Sequence, residues 1–169
     1  MDIRENEGEE KFRSLLAQID SCVNHKLYYV AIMASLAIPD IGGAISSHNG
    51  RADSGSYRKW FDKYVAPKYR SIGNHHLTGE ECYFLRCSML HRGSMQTQTW
   101  KIIFCEFPQT DGFVHPIFLT QDGIIVIEPK TFCNRMVIAA YDWLEESYND
   151  TNFKKNSINF MTLFSISFP

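Results

Sequence analysis

The sequence predicts a mainly α-helical bundle with a small antiparallel β insertion, at about residues 99–128, between the last two long helices. Apolar residues recur at three- and four-residue spacing through most of the chain, which places them on one face of a helix. In the insertion that spacing gives way to short runs rich in Ile, Val and Phe, which suit extended backbone. With 169 residues and 44% hydrophobic composition, the chain can bury one proper core and is too short for two of ordinary size, so a single domain over 1–169 is expected.

Phe12, Leu15, Leu16, Ile19 and Val23, interleaved with charged residues, predict an amphipathic first helix over about 8–23. From His25 the segment HKLYYVAIMASLA is apolar on nearly all sides, as in a central bundle helix, and Pro39 is expected to end or kink it. IPDIGGAI then starts a short further helix, or Gly42 and Gly43 mark the close approach of another one. Residues 46–56, SSHNGRADSGS, are dense in turn formers and read as an exposed loop. Tyr57, Trp60, Phe61, Tyr64 and Val65 form an aromatic stripe that Pro67 stops. Opposite it, Arg58, Lys59, Asp62 and Lys63 are either a solvated charged face or, for Arg58, Lys59 and Lys63 with Lys68 and Arg70, a local basic patch able to hold a phosphate backbone.

Residues 78–93 carry the most self-consistent helix signal. Thr78 and Glu81 form a capping box, and Gly93 supplies the left-handed residue that ends many helices. Cys82, Leu85 and Met89 make one apolar stripe, extended by Phe84, Cys87 and Leu90, so the helix is expected to be largely wrapped by neighbours. Beyond it, 100–107, 113–119 and 123–128 read as strands, with Asp122 and Gly123 in a hairpin turn and Pro116 at an edge. Pro129 opens a second long core helix running to about Ser147, whose acidic end (Glu145, Glu146, Asp150) opposes the helix dipole, which suits a cationic partner or, by default, a frayed end. The apolar tail SINFMTLFSISFP either packs on the bundle or meets another subunit.

On a helix so wrapped, Arg86 and His91 need partners or a cleft. Their R-x4-H spacing also occurs at Arg70 and His75, but that copy runs through loop-forming residues, which cannot fix the geometry. The pair on the 78–93 helix resembles the signature of the HEPN superfamily, an Arg followed after four to six residues by a His near a helix end. The resemblance implies a helical bundle that forms a homodimer, bringing two copies of the pair into one cleft, where many members cut RNA without a metal. It further implies a toxin or phage-defence role and a cognate antitoxin or regulatory partner. Active members commonly carry an amide, carboxylate or imidazole directly after the Arg, where this chain has Cys87.

The expected catalytic residues are therefore Arg86, which would hold phosphate with its planar fork of donors, and His91, an imidazole able to take or give a proton near neutrality. Five positions along a helix separate the two by about 140° around the axis, so a twofold dimer is needed to bring each Arg86 near the other copy's His91. Ser88 and Arg92 flank them as expected substrate contacts, Ser88 otherwise bonding its own helix and Arg92 otherwise solvated. Two further readings stay open: a non-catalytic HEPN-like module binding RNA, a nucleotide or a protein, and a purely structural interaction protein.

The formal charge of −2 provides no overall positive field for nucleic acid, so any RNA contact is local. Five dispersed cysteines without a C-x-x-C pair suit a reducing compartment and argue against zinc or a disulfide framework. His75 and His76 have no carboxylate or thiolate at ligand spacing, so no metal and no cofactor are expected. The acidic first residues lack a signal-peptide core, and the apolar run at 27–38 falls short of the ~20 residues a bilayer requires, so a cytoplasmic location without a membrane span is expected.

Overall fold

A computed structural model describes residues 7–69, 77–96, 101–106 and 117–160. Arg70, His75, His76, Pro116 and most of the apolar tail lie outside them. Six α-helices are described: α1 Glu7–Asn24, α2 Tyr28–Ser46, α3 Ser54–Tyr64, α4 Gly79–Arg92, α5 Pro129–Ser147 and α6 Thr151–Ser157. Three strands, β1 Lys101–Phe104, β2 Ile117–Leu119 and β3 Ile124–Ile127, stand between α4 and α5.

The predicted stripe of α1 faces inward, with Phe12, Leu16, Ile19 and Val23 buried. The turn to α2 hydrogen-bonds Lys26 N to Val23 O at 3.0 Å and Leu27 N to Cys22 O at 2.8 Å. These are the paired bonds of a Schellman motif, and they put Lys26 at φ 59°, a conformation that suits glycine better. The second helix therefore starts at Tyr28 rather than His25.

Helix α2 is the axis of the bundle, touching α1, α3, α4, α5 and α6. Pro39 neither ends it nor opens a separate helix, since α2 continues to Ser46. Proline removes one N–H and strains one turn, but its fixed φ is helical. Burial on both sides of it, from Leu36 and Ile38 to Gly42, Gly43 and Ile45, offsets that cost. The glycine pair marks a close helix approach, as one reading of it held. A Cβ at Gly42 would lie 2.3 Å from Trp60 Nε1, and one at Gly43 would lie 3.1 Å from Ser56 Oγ. By length and composition α2 could cross a membrane, the one such helix among the described residues, but half of its most apolar window is buried in the bundle.

The loop after α2 ends sooner than expected. Asp53 accepts from Ser56 N at 2.7 Å while Ser56 Oγ accepts from Asp53 N at 2.8 Å, so this capping box starts α3 inside the stretch read as turn. Tyr57, Trp60 and Phe61 are buried as predicted. Three of the basic residues opposite are engaged within the bundle, while Lys59 is exposed and Arg70 lies outside the described residues. Lys63 pairs with Glu146 at 2.5 Å, Lys68 pairs with Asp142, and the Arg58 guanidinium sits over the rings of Tyr83 and Phe84 at 5.3 and 5.7 Å.

The sheet corrects the antiparallel expectation. Its order is β1-β3-β2, with β1 parallel to β3 (Lys101 opposite Ile124, Phe104 opposite Ile127) and β2 antiparallel to β3. The segment IIVI is the most apolar strand and takes the buried centre, while residues 105–116 separate β1 from β2 by enough chain to let β3 lie between them. Gly123, at φ 74°, makes the turn between β2 and β3.

Glu128 caps α5 by accepting from Lys130 N and Thr131 N, and α5 buries Phe132, Met136, Ala140 and Trp143. Trp143 meets Phe12 edge-on at 5.3 Å and Phe153 of α6 at 5.6 Å, which joins both ends of the chain to one core. The acidic end of α5 does not simply fray, because Glu146 holds Lys63 and Asp150 caps α6 by accepting from Asn152 N and Phe153 N.

Candidate functional site

Helix α4 begins and ends as its sequence dictates. Thr78 and Glu81 cap each other's backbone N–H, and Gly93 closes the helix at φ 61°. Gly79 lies hard against α3, where a Cβ would fall 2.5 Å from Arg58 O, and its N–H donates to Asp62 at 2.6 Å. Cys82, Leu85 and Met89 are buried. The helix is not wrapped all round, however: Phe84 and His91 are exposed, and Arg86, Cys87 and Leu90 are only partly covered.

Arg86 Nε donates to Asp40 Oδ2 of α2 at 2.7 Å. Both side chains keep 23% of their surface exposed. Burial pushes the Asp40 carboxyl above its usual value, with Arg86 pulling it only partly back. Burial would likewise lower the guanidinium, but Asp40 and Cys87 outweigh it and hold Arg86 above its usual value. Engagement through Nε leaves the two outer nitrogens of the fork unpaired with the carboxylate, and Nη1 lies 3.8 Å from Cys87 Sγ. The guanidinium thus reaches its chain neighbour Cys87, whose position is one helical turn before that of His91.

His91 is exposed in the last turn of α4 and hydrogen-bonds to no described residue. Among the described residues no contact joins Arg86 to His91, and they line none of three cavities of about 500, 170 and 300 Å³.

Ser88 is not open to a substrate. It is 1% exposed, its hydroxyl donates to Gln96 O at 2.7 Å and accepts from Arg92 Nη2 at 3.1 Å. That hydroxyl fastens the chain leaving α4, and Arg92, exposed, braces it. Sequence reasoning missed Asp40. Its signal was there: Asp40 is the one Asp, Glu, Lys or Arg between Lys26 and Arg51, in an otherwise apolar helix.

No known family, characterised protein or solved structure matches the chain. Among the described residues no three His, Cys, Asp or Glu side chains converge as a metal site, and all five cysteines are free.

Proposed function

We propose that the chain is a HEPN-like helical module acting as a homodimer, a metal-independent endoribonuclease of toxin or phage-defence type. The observation that supports this reading is the pose of Arg86: Asp40 holds it by Nε, its Nη1 lies near Cys87, and the exposed His91 imidazole one turn on from Cys87 has no hydrogen-bond partner among the described residues. In a twofold dimer, Arg86 of one copy holds the scissile phosphate and stabilises its added charge. His91 removes the ribose 2′-hydroxyl proton, the 2′-oxygen attacks phosphorus, and the 5′-oxygen leaves, protonated by the second copy's His91. The products are a 2′,3′-cyclic phosphate and a 5′-hydroxyl.

The second reading, a non-catalytic HEPN-like module for RNA, a nucleotide or a protein, draws support from Asp40 as well, because its carboxylate already neutralises Arg86 and competes with phosphate. Incubating the purified protein with RNA in EDTA separates the two. Cleavage lost in His91→Ala supports the nuclease, and binding without cleavage supports the module.

A further inference from the structure

A cavity of about 170 Å³ lies where the start of α2, the segment following α4, the end of β1 and the start of α5 meet, lined by Tyr28, Tyr29, Ile32, Met95, Phe104, Glu106 and Pro129. Three of these side chains are aromatic and one is a carboxylate. Tyr28 Oη donates to Glu106 Oε1 at 2.8 Å, which fixes both side chains at the cavity wall. Phe104 is held from behind by an edge contact with Phe132 at 5.4 Å. Tyr29 contributes its ring from an exposed position, 72% accessible, so the cavity is reached from solvent. The setting is electronegative: the hydrogen bond to Glu106, then burial and the charges of Glu106 and Glu128, push the Tyr28 phenol up to about 12.

Aromatic rings attract cations through the negative potential of their faces, and a nearby carboxylate adds charge complementarity. The hydrogen-bonding capacity of the wall selects among cations. Glu106 Oε1 already accepts from Tyr28, and apart from the second oxygen of Glu106 and the phenols the lining side chains are apolar, so a guanidinium with five N–H donors or a primary ammonium with three finds fewer acceptors here than in water. A methylated ammonium carries no such requirement and presents an apolar shell. We infer that this cavity binds a methylated ammonium head, caged by Tyr28, Tyr29 and Phe104 with Glu106 supplying the counter-charge. The head could belong to a free small molecule or to a methylated lysine side chain.

Calorimetric titration of the full chain tests the inference, with choline, a trimethyllysine peptide, the same peptide unmethylated, and 3,3-dimethylbutanol as the uncharged counterpart of choline. Saturable binding of choline or of the trimethyllysine peptide is expected, and which of the two binds identifies the source of the head. The unmethylated peptide and the neutral alcohol should bind about tenfold more weakly or worse. Tyr29→Ala, at an exposed position that leaves the core intact, should weaken binding by about threefold to thirtyfold, and Glu106→Gln should do the same. No saturable heat with either methylated cation to about 10 mM, or equal binding of the neutral alcohol, overturns the inference. Neither result bears on RNA cleavage, because Arg86 and His91 do not line this cavity.

Discussion

Asp40 Oδ2 accepts a 2.7 Å hydrogen bond from Arg86 Nε, and this contact joins the middle of α2 to the third turn of α4. It fixes one nitrogen of the guanidinium and leaves Nη1 beside Cys87, 3.8 Å from its sulfur.

The pair orients Arg86 more than it stabilises the fold. Because the folded pKa of Asp40 is raised, the native state holds the proton more tightly than the unfolded chain. The stability so contributed is fully present below the unfolded value near 3.8 and is lost as pH rises through the higher folded value. Asp40→Asn, which mimics the protonated side chain, should be at least as stable as the wild type at neutral pH, and the two should converge as pH falls below about 4 in urea denaturation. RNA cleavage should instead fall by about tenfold to a hundredfold in Asp40→Ala, which removes the acceptor that holds Arg86 Nε.

Ser88 and Arg92 should separate in a denaturation series. Ser88→Ala removes the buried hydroxyl that ties Gln96 O to α4 and should cost about 1 kcal/mol. Arg92→Ala, at an exposed position, should stay within about 0.5 kcal/mol.

Gly42→Ala should destabilise by about 1–3 kcal/mol, since the added methyl meets Trp60 Nε1 at 2.3 Å. Gly43→Ala, 3.1 Å from a serine hydroxyl, should be close to neutral, because the gain in helix propensity offsets a small displacement. Unfolding midpoints of the two variants compare them directly.

Lys26→Gly should raise stability by about 0.5–1 kcal/mol: the left-handed strain of a lysine at φ 59° is removed, less the extra chain entropy of glycine. A lower unfolding midpoint would contradict the Schellman account of the turn between α1 and α2.

What was legible in the sequence was local. The capping box at Thr78 and Glu81, the stop at Gly93, the start of α5 at Pro129 and the turn at Gly123 each depend on residues within a few positions of one another. What was not legible depended on distant partners. Pro39 reads as a break unless the burial around it is known, and β1 reads as half of a meander unless β3 is known to take the centre. The basic run on α3 reads as a phosphate patch unless Glu146 and Asp142 of α5 are known to face it. Within the site, Arg86 and His91 were found from spacing, whereas Asp40, 46 positions away in sequence, was not. Ser88 was misjudged for the same reason, as its hydroxyl answers to Gln96 beyond the helix end.

The central claim is that two copies of Arg86 and His91 cut RNA across a shared cleft. Its most direct measurement is cleavage of single-stranded RNA in EDTA by wild type, Arg86→Ala, His91→Ala and an equimolar mixture of the two variants. The account predicts 2′,3′-cyclic phosphate ends from the wild type, a loss of about a hundredfold or more in each variant, and no more than a small recovery in the mixture, where every mixed dimer still lacks half of its groups. Wild-type protein that leaves RNA intact, or a His91→Ala variant that cuts as fast as the wild type, would contradict it.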